Sequence, residues 1–287
     1  MNKLPQFKIR CSALSKIMSG TIGLTDTQKA TLSDLESREN GTHPKGLKLT
    51  ARMEVELAEL QYKRLYPELP QGSKTYCEEY LGWLIDGRMK AIQSKYIEKG
   101  NSVEEDSFTL MAVQLGLGMI FKNEERKSNG WMEGECDIDH NGIIYDNKAS
   151  WEYGTFPMWK KENPNIGYEH QLQGYMELWD REEAILCYTL VDCPEYLLAN
   201  EMKHWLSDDE RQKIAKELIF TRDYWDAMKS KYFSSAKKNE FIEIPEKRRV
   251  KTFKFKRDRE FIKEAKFRTS LCQKYIESLL SCQTNKK

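Results

Sequence analysis

Apolar positions recur at helical spacing through most of the first hundred residues. Ser12–Met18, Thr25–Arg38 and Leu49–Tyr66 read as helices, separated by loops at Gly41–Gly46 and Pro67–Ser73. On the third, Arg52, Glu56, Glu59 and Lys63 fall on one solvated face. A fourth helical stretch, Thr75–Ile97, ends at Gly100.

The period changes in the middle third. Ser102 is followed three residues on by Glu105, a capping-box pattern that predicts a helix start, and Phe108, Met111, Ala112 and Leu115 share its buried face. Met119–Arg126 reads as a strand, Ser128-Asn129-Gly130 as a turn and Trp131–Asp139 as a second strand. His140-Asn141-Gly142 suits a tight hairpin turn into a third strand, Ile143–Ser150. Pro164-Asn165 precedes a helix running to about Trp179. Ala184–Val191 has the near-continuous apolar character of a buried strand. The order is α-β-β-β-α-β, an α/β core. No repeat or low-complexity linker divides the chain. One elaborated domain over residues 1–287 is expected: a mainly helical part (1–99), a core (100–191) and a C-terminal elaboration (192–287).

Composition narrows the class. The 287 residues include 14 Tyr, 11 Phe and 7 Trp, too many aromatics for a disordered chain. The longest apolar stretch, Leu110–Phe121, is broken by Gln114 and is too short to span a bilayer. The opening residues lack a signal-peptide apolar region, so a cytoplasmic protein with reduced thiols is expected. The 7 cysteines contain no CxxC pair, which indicates neither a disulfide framework nor a zinc ribbon.

A net charge of +1 hides an uneven distribution, because Lys247–Arg257 holds seven basic residues and no acidic one. Phe253 and Phe255 alternate there with Lys254 and Lys256, which predicts a strand with one packed and one charged face. Lys247, Arg248, Arg249, Lys251, Lys254, Lys256 and Arg257 suit either a lysine-defended sheet edge or a surface that attracts a polyanion.

The chemistry concentrates on the hairpin. Asp146 and Lys148 alternate onto one face of a strand, and the strand bearing Asp137 pairs beside them across a tight turn. Two desolvated carboxylates there call for a cation, and oxygen donors favour Mg²⁺ or Mn²⁺ over zinc. An ordinary surface ion pair is the plainer account of Asp146 and Lys148 alone. Glu104 opens the preceding helix without an obvious structural task, and Gln171 and Tyr175 stand one turn apart on the following one.

The set KGNSVEEDS, GECDI, YDNKAS and HQLQGYMELW resembles the PD-(D/E)XK nuclease superfamily, and within it the lambda-type phage exonucleases and RecB-type (YqaJ-like) nuclease domains. The resemblance covers about residues 100–191. It implies a restriction-endonuclease-like core, a mixed central sheet flanked by helices, with a helical N-terminal extension and a helical and stranded C-terminal elaboration. It implies that Glu104, Asp137 and Asp146, with the backbone carbonyl of Asn147, hold Mg²⁺, for which Mn²⁺ substitutes. Lys148, Gln171 and Tyr175 would complete the catalytic set. Arg10 and Ser12, in Arg10-Cys11-Ser12-Ala13, resemble the element with which such exonucleases hold a 5′-phosphate. Cys136 stands where the family often has Pro. The tight cysteine cluster of the iron–sulfur relatives is absent from the sequence, so no such cluster is expected.

The implied activity is metal-dependent exonucleolytic hydrolysis from ends of linear duplex DNA, 5′ to 3′, in phage-type recombination. A ring-shaped homo-oligomer and a single-strand annealing protein are the implied partners, with no membrane role. A structure- or site-selective endonuclease and an inactive nucleic-acid-binding module are the alternatives. His43, His140, His170 and His204 form no H-x-x-x-H pair, and no Gly-rich nucleotide loop is present.

Overall fold

A computed structural model describes residues 6–88, 94–237 and 241–284. Where the sequence suggests one elaborated domain, the contacts group into two compact units: Met1–Ile9, Ala13–Met89 and Lys263–Lys287 form one, and Arg10–Ser12 with Lys90–Ile262 form the other.

The first unit is helical. α1 (Leu14–Met18), α2 (Asp26–Glu39), α3 (Ala51–Leu65) and α4 (Gln71–Asp86) are joined by most of α11 (Arg259–Thr284). Thr25 and Gln28 close a reciprocal capping box on α2, and Thr50 caps α3. Leu32, Leu35, Leu57 and Leu60 form the seam between those two helices. Arg268 of α11 is buried and donates to the carbonyls of Ile17 and Gly20, each at 3.0 Å, so a cation satisfies the last turn of α1.

The expected helix over Thr75–Ile97 is two helices. α4 stops at Gly87, which adopts a left-handed φ of 64°, and α5 (Lys95–Ser102) begins afresh under the Ser94 cap. The Ser102 capping box is also absent. The Ser102 hydroxyl is used by Glu98 O and Tyr196 instead, and Val103 ends α5 while opening α6 (Glu104–Leu115). The local signal is outweighed by the preceding helix continuing through Gly100.

The second unit is built on two sheets. The smaller has the order β1–β3–β2, with β1 (Ile9–Arg10), β2 (Lys127–Ser128) and β3 (Met132–Gly134). The larger has the order β4–β5–β6–β7, from β4 (Ile138–His140), β5 (Ile143–Ala149), β6 (Glu183–Thr189) and β7 (Val250–Lys256). β5 and β6 pair in parallel through the crossover helix α7 (Ile166–Trp179), and the other two pairings are antiparallel.

Two strand expectations need correction. Met119–Arg126 is irregular: Gly116 and Gly118 take left-handed φ values, and Met119 and Phe121 point into solvent. Trp131–Asp139 is not one strand but two in different sheets, with Glu135–Asp137 carrying the chain between them. The hairpin turn is as read: Asn141 (φ 51°) and Gly142 (φ 80°) link the paired His140 and Ile143.

Side-chain alternation assigns the faces of the larger sheet. Ile138, Tyr145 and Cys187 pack with Phe108 and Met111 of α6. Ile144, Ala184 and Leu186 fall on the opposite face, which α7 covers with the buried Leu172 and Met176. Asp146 and Lys148 therefore lie on the α7 face. Beyond the sheet, α8 (Glu195–Glu201), α9 (Asp208–Leu218) and α10 (Arg222–Tyr232) enclose a separate core around Leu198, Trp225 and Phe233. Among the described residues no helix is long and apolar enough to cross a membrane.

Candidate active site

The passage of the chain between sheets sets the site. β4 pairs with β5 only as far as Ile138 opposite Tyr145, so Asp137 lies just past the end of the ladder. Its Oδ2 there accepts the backbone N–H of Asn147 at 2.9 Å. The N–H and C=O of one extended residue point to the same strand edge, so the Asn147 carbonyl also faces the Asp137 side. Asp137 is thus held against β5 by a main-chain bond, which fixes its distance from Asp146.

Asp146 is 1% exposed, and its Oδ2 lies 2.6 Å from Lys148 Nζ. That is a close ion pair but not a directed hydrogen bond; Oδ1 is buried with no partner at all. Burial and then the Asp146 charge push Asp137 up to about 7, against the opposing pull of Lys148 and the Asn147 N–H. Burial alone would lower the pKa of Lys148; the Asp146 and Asp137 carboxylates outweigh it and leave the ammonium more basic than usual. The cluster is short of positive charge even with Lys148 in place.

From α7, Gln171 Nε2 donates to Tyr175 Oη at 2.7 Å. Burial, and next the Asp146 charge, raise the Tyr175 pKa well above the ordinary phenol value. It remains a neutral phenol. Gly134 is dictated by this packing: a Cβ there would stand 2.5 Å from Cys11 Sγ and 3.0 Å from Tyr175 Cε1. The N-terminal segment Arg10–Ser12 thereby reaches the cluster. Ser12 is exposed on a 3₁₀ turn, and Arg10 lies 3.9 Å from Glu133, whose carboxylate is also held by Arg126 at 2.6 Å.

Glu104 is placed at the first turn of α6, near enough to Asp137 to raise its pKa, but its carboxylate is engaged by Lys122 at 2.5 Å. Among the described residues no group of three Asp, Glu, His or Cys closes around a common point. A hard divalent cation nevertheless fits the donor set. The unpartnered Asp146 Oδ1 and the raised pKa of Asp137 both mark a missing positive charge, and all the donors are oxygens. Asp137, Asp146 and the Asn147 carbonyl would hold it, with Glu104 joining on release from Lys122.

The basic segment divides between faces. Register puts Lys148, Tyr188 and Lys251 in one row across β5, β6 and β7, on the α7 side. Lys254 and Lys256 alternate to the opposite side and are exposed, as are Lys247 and Arg248 on the turn before β7. Arg249 is largely covered and lies 3.6 Å from Glu246. Arg257 departs from the phosphate-binding expectation, because its guanidinium is 13% exposed and committed to Glu177, Asp180 and Glu182. It is a clamp between β7 and the end of α7.

Three residues enter that motif reading missed. Tyr168 lies under Lys148, with the ammonium 5.1 Å from the ring centroid, and helical spacing from Gln171 and Tyr175 was its available signal. Lys122 sits in the irregular loop, where nothing in the pattern marks it. Lys99 is fully buried and donates to Ser150 O and Trp151 O at 2.8 Å each, pinning the chain as it leaves the Lys148 strand. Two concave spaces lie among α2, α3 and their loops, and no residue of the carboxylate cluster lines them.

No family model and no curated protein matches the sequence. Solved structures do. A phage-related exonuclease from Haemophilus somnus 129PT is similar at a TM-score of 0.66 and 27% identity, covering 98% of each chain. An alkaline exonuclease (LHK-Exo) from Laribacter hongkongensis shares the fold at a TM-score of 0.52 and 10% identity, covering 97% of this chain and 92% of that one. In fold, over nearly its whole length, the chain resembles the phage-related and alkaline exonucleases of the lambda type.

Proposed function

We propose that the protein is a metal-dependent DNA exonuclease that hydrolyses phosphodiester bonds from ends of linear duplex DNA, in the 5′ to 3′ direction. The observation that carries the reading is the buried Asp146, ion-paired to Lys148 beside Asp137, with one of its carboxylate oxygens unpartnered. The similarity to a phage-related exonuclease supports the choice of exonuclease over endonuclease.

Bound Mg²⁺ supplies activation of water and charge neutralisation at the phosphate. The protein's own groups divide the remaining work. Lys148 stays protonated, so it is not the base; it offsets the charge that accumulates on the phosphate as water adds and the P–O bond to the 3′-oxygen of the departing nucleotide breaks. The Tyr168 ring and the two carboxylates hold the ammonium in place. Gln171 donates to Tyr175, which leaves the phenol proton to be donated into the cluster. Arg10 and Ser12, on either side of the buried Cys11, would receive a terminal phosphate. Phage-type recombination, a ring of subunits and a single-strand annealing partner complete the proposal.

The test is end-labelled linear duplex with Mg²⁺, carrying either a 5′-phosphate or a 5′-hydroxyl. Progressive loss from the 5′-phosphorylated end is expected, abolished by Asp146→Ala and by Lys148→Ala while both variants stay folded. Undiminished digestion by both would overturn the mechanism.

A further inference from the structure

Trp159 is an exposed indole in a place the fold does not require. It occupies the third position of a tight turn closed by Lys160 N to Pro157 O (3.1 Å) and is 77% exposed, while its neighbours Phe156 and Pro157 are buried and anchor the turn. The far end of the same loop is tied down by Tyr188 Oη donating to Asn163 Oδ1 at 3.1 Å. The Arg248 guanidinium lies 5.9 Å from the Trp159 ring centroid. Arg248 is held by its own turn, whose Arg249 carbonyl accepts Leu190 N at 2.8 Å. An aromatic face and a planar cation are thus presented together on two anchored turns.

Their position relates them to the cluster. The loop bearing Trp159 joins the Lys148 strand to the Gln171 helix, and Tyr188, which anchors it, stands in register between Lys148 and Lys251. The row Lys148, Tyr188, Lys251 leads to the end of β7, two residues from Arg248. Exposed Lys160, Lys161 and Lys247 flank the pair in sequence. Cations spaced along a row suit a phosphate backbone, and an exposed indole beside an arginine suits a nucleobase that has lost its partner.

We propose that Trp159 and Arg248 form a stacking platform for one unpaired base of single-stranded DNA, held beside the hydrolytic cluster. This rests on the nuclease reading above. The platform makes the protein prefer ends whose strands are already separated, and it recognises a base by its π-face rather than by sequence.

The experiment is fluorescence anisotropy of labelled single-stranded oligothymidylate with the full-length protein under chelating conditions, so that no cleavage intervenes. A single abasic nucleotide is walked along the strand. In the wild type, one position should weaken binding by about tenfold (~1.4 kcal/mol). Trp159→Ala should lose the same factor with intact DNA and show no further loss at that position, while Trp159→Phe should retain most of the affinity. Equal binding by wild type and Trp159→Ala, or an abasic penalty unchanged in that variant, would overturn the platform. If the wild type neither binds nor digests DNA, the nuclease reading itself fails, and the two outcomes are distinct.

Discussion

Lys148, which is largely covered, and Lys99, which is fully buried, have opposite electrostatics. Lys148 has two carboxylates to pair with and becomes more basic. Lys99 donates to the Ser150 and Trp151 carbonyls and lies over the Trp151 and Phe220 rings, and burial lowers its pKa from the ordinary 10.5 to about 8. The unfolded chain therefore binds more protons than the folded one between about pH 8 and 10.5, so the burden of the buried charge is relieved as pH rises through that window. Denaturant titrations should show wild type gaining on Lys99→Met by ~2 kcal/mol from pH 8 to about 10. A constant difference would show that folding leaves the Lys99 pKa unshifted. Gly134 is the tightest point at this scale. Gly134→Ala should cost ~1–3 kcal/mol in thermal unfolding and reduce activity by displacing Tyr175. Adding Cys11→Ala should recover part of the loss, because Cys11 Sγ is the nearest atom to the new methyl.

Among the elements, β7 shows how one strand can carry two tasks. Lys251 shares a face and a row with Lys148, whereas Lys254 and Lys256 project to the other side and Arg257 is consumed by three carboxylates. Lys251→Ala should flatten the salt dependence of DNA binding by about one unit of slope, and Lys254→Ala should change it less. Arg257→Ala should instead lower stability by ~1–3 kcal/mol, with unfolding midpoint as the readout. The sequence made this strand legible through its alternation, but not the direction of its faces, which depends on pairing with β6. The hairpin turn, the parallel β5–β6 pair and α7 were legible for the same reason: their periodicity and turn residues are strong. The strand expected over Met119–Arg126 does not form because Gly116 and Gly118 take left-handed φ values and Met119 and Phe121 face solvent, signals that apolar composition does not carry. Motif spacing picked out Asp137, Asp146, Lys148, Gln171 and Tyr175. It did not foretell that Lys122 would hold Glu104, a contact made between the start of a helix and a patternless loop.

For the molecule as a whole, the proposed activity requires a cation and a free end. Chelation should abolish digestion, with Mg²⁺ or Mn²⁺ restoring it, and calorimetric Mg²⁺ binding should weaken strongly in Asp146→Asn. Covalently closed circular duplex should survive conditions that consume its linearised form; its rapid cleavage would favour an endonuclease. The division into two units was not visible in the sequence, because no composition shift marks it. The helical unit is assembled from the segments on either side of residues 90–262, through the return of α11.

That return has a consequence for biogenesis. On the ribosome, residues 90–262 are complete and able to collapse while the helices of residues 13–89 still wait for their last companion. The segment carrying Asp137, Asp146 and Lys148 can therefore mature first. A stalled or prematurely terminated nascent chain would release it with the helical half missing α11.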